Sequence, residues 1–309
     1  VATSASVDFT STRDEIIKDA LTLCRAIDPD ETPKAEKIEQ AARFLNRMTK
    51  VMQAQGLHLW TETEAILFID KNTRIYTFPS ANATDPEDFD DTTTSAAAVS
   101  GASTISVSAA GNIAAADIIS IELDSGSRQW TTVGSISGTT VTLPTGTTLD
   151  GAVASGNEVV AFTTKINRPL KVLSARRRIS SIDSPLEIVS REEYVDLPNK
   201  TSTGLINEIY YKPLSSTGEL YVWPTGDSAT DRLSFTYQRP IEDFDSTSNN
   251  PDFPVEWHEM LVANLAFRLA PTYGCPADTF NMIREQAMTS YALVSGFDAE
   301  FTSVYINPR

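Results

Sequence analysis

Between Thr92 and Thr164 the chain carries no lysine and a single arginine, Arg128, and is built mainly from Ser, Thr, Gly and Ala. Its apolar residues fall in short alternating segments: "STISVSA", "DIISIELD", "RQWTTVGSIS", "TTVTLP" and "NEVVAFT". Turn signals such as "DSGS", "SGTT" and "ASGN" separate them. Alternation with a period of two, bounded by turn residues, specifies half-buried strands, and several in series specify a small sandwich or barrel. The segment begins and ends inside strand-like text, so residues 90–164 read as a β domain inserted into a host, at a site whose ends lie close together. Trp130 lies in one of the alternating strands and is expected in the core of that domain.

The host is legible on either side. Thr12 and Glu15 form a T-x-x-E capping box, and Ile16, Ile17, Ala20, Leu23, Cys24 and Ile27 follow at helical spacing, which predicts a helix over 12–27. A second helix is expected to be capped by Thr32, with Pro33 at its first position and Ala35, Ile38, Ala42, Leu45, Met48 and Met52 on its apolar face, ending at Gly56. "TEAILFIDKNTRIYTF" has two alternating runs about "DKNT" and predicts a hairpin. After the insert, "LKVLSARRRISSI", "SPLEIVS" and "DRLSFTYQRP" read as strands, and "NEIYYKPLSSTGELYVWP" as a hairpin. Ser190 and Glu193 make a second capping box, and two more helices are expected at about 254–270 and 276–295. The fold class is therefore α+β: a helical bundle from the N- and C-terminal helices, a central antiparallel β region and the inserted β domain. The expected domains are a core of 1–89 with 165–295, the insert at 90–164 and a C-terminal arm at 296–309.

Tests for chemistry return no site. His258-Glu259 opens an apolar helix, but the position where H-E-x-x-H needs its second histidine is Val262, and the other histidine, His58, is far away in sequence. His258, Val262, Leu265 and Leu269 share a helical stripe, so His258 is expected to be a packing or capping residue. No G-x-S-x-G, P-loop or G-x-G-x-x-G occurs. The acidic runs Asp85–Asp91 and Glu242–Ser246 lack the glycine and terminal Glu of an EF-hand. No enzyme activity, metal or cofactor is expected. Two cysteines, Cys24 and Cys275, do not make a disulfide framework and point to synthesis in a reducing cytosol. The chain has no run of 18 apolar residues and no basic-then-apolar start, so neither a membrane span nor a secretory signal is expected.

Three features are left for contacts with partners. The net charge of −16 argues against a tight nucleic-acid clamp, but suits a wall past which DNA slides. Arg176, Arg177 and Arg178 form the one basic run, a candidate contact for a partner or for DNA phosphate. The helix "FPVEWHEMLVANLAFRLAP" is apolar nearly all round, so it is expected to be buried from several directions, which assigns Trp257, Leu261, Leu265 and Leu269 to contacts between subunits or between domains. The tail "EFTSVYINPR" has strand-forming residues and no partner strand after the last helix, so it reads as an arm that adds to a sheet of its own fold or of a neighbour.

The order of several phrases resembles the podovirus-type head-to-tail adaptor family, the tail accessory factors. The resemblance runs through the helical pair that ends in "GLHLW", then "SPLEIVSREEYVDLPNKTSTGLINEIYYKP", "GELYVWPTGD", "FTYQRPIEDF" and "FPVEWHEMLVANLAFRLAPTYG". It covers roughly residues 12–80 and 165–295 and leaves the insert outside. It implies a closed ring of identical subunits, twelve-fold in such families, under the portal of a tailed bacteriophage. Such a ring joins the portal to a tail nozzle or hub protein, passes double-stranded DNA without reading its sequence, and helps to retain the packaged genome. It also implies that the C-terminal arm, with Phe301, Val304, Tyr305, Ile306 and Arg309, docks on the portal, and that the protein is made in the bacterial cytoplasm and resides in the virion neck. Two alternatives stand beside it: a cell-wall hydrolase of the virion, and a glycan-binding decoration module that uses Trp130 and Phe162 of the insert.

Overall fold

The computed structural model describes residues 8–55 and 59–298. They fall into two compact units, unit 1 from the two ends of the chain up to Thr61 and from Pro240 onward, and unit 2 from Glu62 to Arg239. Five α-helices occur among the described residues: α1 (Arg13–Leu23), α2 (Ala35–Gln55), the short α3 (Arg191–Asp196) of unit 2, α4 (His258–Leu269) and α5 (Ala277–Phe297). All strands among the described residues lie in unit 2, together with α3, so the chain is α+β. The terminal helices and the host strands have separate apolar clusters.

Local signals explain the ends of the helices. The Thr12 hydroxyl accepts the Glu15 N–H at 3.4 Å while the Glu15 carboxylate accepts the Thr12 N–H at 2.8 Å, so the capping box closes in both directions. The α1 helix stops in a Schellman turn: Ala26 N–H donates to Leu21 O and Arg25 N–H to Thr22 O, with Arg25 in the left-handed region at φ 57°. The α2 helix starts later than expected. Lys37 and Ile38 donate to Lys34 O, so Lys34 and not Thr32 is the cap. Pro33 holds Thr32 out of the helical region, and the first turn forms beyond the proline. Gly56, the expected stop, lies outside the described residues.

In unit 1, α4 is the central helix. Its residues Met260, Leu261, Leu265, Ala266 and Leu269 are wholly buried in one cluster with Ile16, Ile17 and Leu21 of α1, Leu45 and Met48 of α2, and Ile283 of α5. A helix covered by α1, α2 and α5 must be apolar on most sides, and that is the pattern read in its sequence. By contrast α5 is amphipathic: Thr279, Ile283 and Ala287 face inward, while Met282, Met288 and Leu293 are exposed.

Unit 2 contains sixteen strands among the described residues. They are β1 (Glu62–Phe68), β2 (Ile75–Phe78), β3 (Ala83–Thr84), β4 (Phe89–Thr93), β5 (Thr104–Ser106), β6 (Ile118–Glu122), β7 (Arg128–Thr132) and β8 (Ser135–Ser137). There follow β9 (Thr140–Thr142), β10 (Glu158–Phe162), β11 (Lys171–Ile179), β12 (Ile182–Pro185), β13 (Glu187–Ile188), β14 (Glu208–Pro213), β15 (Gly218–Trp223) and β16 (Arg232–Gln238). They form four sheets, with strand orders β12-β11-β16-β1-β3, β13-β14-β15-β2, β4-β10-β6-β7 and β5-β9-β8. Among the described residues every strand ladder is antiparallel except β13 with β14.

The sheets stack in layers, and the period of two in the strands shows how. On β1, Ala65 and Leu67 enter a core shared with Ile209, Leu220 and Val222 of the second sheet. The alternate residues Ile66 and Phe68 point the other way, against Val160 and Phe162 of β10. On β10 in turn, Val159 and Ala161 enter a third core with Ile105 and Val141 of the smallest sheet. The continuous apolar runs "AILF" and "VVAF" are thus strands covered on both faces. The inserted segment is a two-sheet sandwich, the form the alternating pattern allowed.

The expected hairpin over 63–78 does not form. Strand β1 pairs with β16 and β3, and β2 pairs with β15 in the other sheet. The "DKNT" turn carries the chain from one layer to the next, with Asn72 at φ 62° and its N–H on Gly226 O at 2.9 Å. The second expected hairpin does form: β14 and β15 pair from Glu208 opposite Trp223 to Pro213 opposite Gly218.

The root of the insert is tied shut. Strands β4 and β10 run antiparallel from Phe89 opposite Phe162 to Thr93 opposite Glu158. The Thr84 hydroxyl donates to Thr164 O at 2.7 Å, and the Asp88 carboxylate accepts both the N–H and the hydroxyl of Thr164.

Candidate functional site

Of the His-Glu pair at the start of α4, His258 is a packing residue and Glu259 is exposed. His258 is 6% exposed, its Nδ1 has no hydrogen-bond partner among the described residues, and Glu259 accepts a hydrogen bond from Gln286 at 2.6 Å. No group of three metal-ligating side chains occurs among the described residues. Burial lowers the His258 imidazole below its ordinary value, against the pull of the Glu256 charge. The folded chain therefore takes up a proton here less readily than the unfolded chain. The contribution of this residue to stability is complete above about pH 6.5 and is lost as pH falls below that value. The stability gap between the native protein and His258→Asn is expected to shrink from pH 7 toward pH 5, measured by urea unfolding; a gap that does not change with pH contradicts it.

The four residues expected at subunit or domain contacts pack inside their own chain, which corrects the subunit assignment. Trp257, Leu261, Leu265 and Leu269 are each at most 1% exposed within the single chain. Their apolar surface is used by α1, α2 and α5 of the same molecule and is not available to a neighbour.

The basic run is divided by the pleat. Arg177 donates to Ile206 O at 2.7 Å and is part of the fold. Arg178 makes a two-pronged pair with Asp183 on β12, at 2.7 and 2.9 Å, and this bond holds the Asp183 carboxyl below the usual range. Arg176 is exposed. Phe301, Val304, Tyr305, Ile306 and Arg309 lie outside the described residues. The α5 helix runs to Phe297, so any arm starts two residues later than expected.

The most elaborate side-chain constellation is the joint between the insert and the host sheet, and it was not expected. Arg232 of β16 donates to Asp91 at 2.5 Å and to Glu158 at 2.6 Å. Arg128 of β7, whose side chain is fully buried, pairs with the other oxygen of Glu158 and donates to Ala229 O at 2.5 Å and to the Ser120 hydroxyl at 2.9 Å. The guanidiniums of Arg128 and Arg232 lie over the ring of Phe68, 5.9 and 5.6 Å from its centre respectively. Below them, Phe68 stacks on Phe162 at 5.8 Å, and Trp130 meets both rings. The Trp130 indole N–H donates to Asp70 at 2.8 Å. Burial raises the Asp70 carboxyl, and this bond and the Arg128 charge oppose the rise.

Trp130 is therefore not in the core of the insert. It lies on the opposite face of its sheet, against the host. Phe162 shares that face, so neither ring is free as a platform for a sugar. A cleft of about 560 Å³ opens beside the joint, with Arg178 and Arg232 on its wall next to Asp91 and Glu158. Both carboxylates are already held by arginine, which suits a clamp and not a general acid with its base.

One signal for this joint was present in the sequence. Arg128 is the single basic residue of the insert, on an alternating strand two positions before its tryptophan. Its partners Glu158, Asp91 and Arg232 come from distant strands and had no local mark. No protein-family model matches the sequence, and no curated protein does.

Proposed function

We propose that the chain is a structural connector of a tailed bacteriophage: a subunit of a ring beneath the portal that extends the DNA channel, joins portal to tail and helps to retain packaged DNA. The observation that carries this reading is where the resembling phrases fall. Trp60, which closes the phrase after the helical pair, packs 4.6 Å from Trp257 and 5.6 Å from Phe253, both in the phrase that opens α4. Phrases from opposite ends of the sequence are thus the packing positions of one aromatic cluster, in unit 1. In this reading the helices of unit 1 are the bundle of the connector, unit 2 is its β region with a rigidly carried insert, and the residues after Asp298 are the docking arm. The net charge of −16 suits a channel wall along which DNA moves without being gripped.

A ring subunit needs a contact with its neighbours. Since α4 is enclosed, that role passes to the outward face of α5, where Met282, Met288 and Leu293 are 53%, 68% and 70% exposed. The double variant Met288→Glu, Leu293→Glu is expected to fold as the native protein does and to shift sedimentation from the ring toward the monomer by at least tenfold in concentration, about 1.4 kcal/mol or more per contact. Unchanged assembly of the variant removes α5 from the interface. Truncation after Asp298 is expected to weaken co-sedimentation with the portal protein while leaving the fold intact. A cleared band on a cell-wall zymogram would instead support the hydrolase.

A further inference from the structure

We propose that Cys24 and Cys275 form a reversible disulfide when the protein leaves a reducing compartment, stapling the end of α1 to the turn between α4 and α5. The proposal rests on the fold of unit 1 and is independent of the connector reading. These are the only two cysteines of the chain, from near its opposite ends, and both pack in the same apolar cluster. Both thiols are free.

Lys37 marks how near the two segments are. Its ammonium donates to Ala26 O at 2.7 Å and lies 5.8 Å from the centre of the Tyr273 ring. Ala26 is two residues after Cys24 and Tyr273 two residues before Cys275, so one side chain bridges the flanks of both cysteines. Burial is the first cause that raises the Cys24 thiol, and the charge of Cys275 adds to it. Each cysteine sits at a chain reversal, one at the cap of α1 and the other just after the end of α4, where a small shift disturbs no helix interior.

The two thiols differ in access, and that sets an order. Cys24 is 1% exposed and donates to Leu21 O at 3.4 Å, whereas Cys275 is half-buried. With a small disulfide such as oxidised glutathione, Cys275 loses its proton, attacks one glutathione sulfur and expels the other half as a thiolate. Cys24 then loses its proton, attacks the Cys275 sulfur and expels the second glutathione thiolate. Two protein thiols give up two electrons and two protons, and the oxidant becomes two thiols.

The test is incubation of the full chain with oxidised glutathione in native buffer, followed by intact mass and peptide mapping without reductant. The expected product is a monomer lighter by two hydrogen atoms, with the peptides holding residues 24 and 275 joined. Its thermal midpoint should rise by several degrees and return on adding dithiothreitol. Cys275→Ser should show neither change, and in urea the native chain should give glutathione adducts in place of the cross-link. A lasting adduct on Cys275 alone in native buffer, a cross-link between two chains, or two unreacted thiols would each overturn the proposal.

Discussion

Trp257→Ala is expected to destabilise unit 1 by about 3–5 kcal/mol, the range for removing a large aromatic from a closed core. Trp257 is 1% exposed, and its ring meets Trp60 at 4.6 Å and Phe253 at 6.0 Å. Alanine leaves those two rings facing a void. Urea unfolding followed by far-ultraviolet circular dichroism reads the helices of unit 1 directly. The transition of unit 1 should move to lower urea while the transition of the strand-rich unit 2 stays in place. A loss below about 1 kcal/mol would mean that the cluster is loosely packed and that Trp257 has surface to offer a neighbour.

The second large effect is expected at Glu158. This carboxylate is 16% exposed and holds two guanidiniums, the fully buried Arg128 and the 13% exposed Arg232. Glu158→Ala leaves Arg128 buried without its counter-charge, with a loss at the lower end of the 3–5 kcal/mol typical of a broken buried pair, because the edge of the cluster still meets water. The insert should then loosen as a unit. Protease cleavage at the acidic loop Asp85–Asp88, beside the root of the insert, should accelerate, while the sandwich at 90–164 persists as a resistant fragment. The effect should change little with added salt, since buried pairs are weakly screened. If Glu158→Ala costs less than about 1 kcal/mol and cleavage is unchanged, the aromatic cluster alone holds the insert and the ion network is incidental.

The parts of this fold that were legible in the sequence are those whose cause is local. The two capping boxes, Thr12 with Glu15 and Ser190 with Glu193, both form, because a cap is decided within four residues. The β14–β15 hairpin formed because "SSTG" joins two strands that meet side by side. The failures concern what lies across a surface. Alternation in "TEAILF" and "RIYTF" marks strands correctly but does not say which strand is the neighbour, and the four consecutive buried residues of β1 were the clue that it lies between two layers. Trp130, expected in the core of the insert, lies on the face that meets the host for the same reason: period two separates the faces without saying which one is covered by which layer. An apolar helix announces that it is enclosed, not by what, and α4 is enclosed by its own chain. The Arg128–Glu158–Arg232 joint had no legible pattern beyond one isolated arginine, since its members come from three strands far apart in sequence.

A closed ring stacked on a portal is tested most directly by electron microscopy of the full-length protein mixed with the portal protein of the same virus. Class averages should show an added annular layer, coaxial with the portal channel and open at its centre, and sedimentation of the same sample should give a single larger species. Portal particles without the added layer, with this protein remaining monomeric at every concentration, would contradict the connector reading.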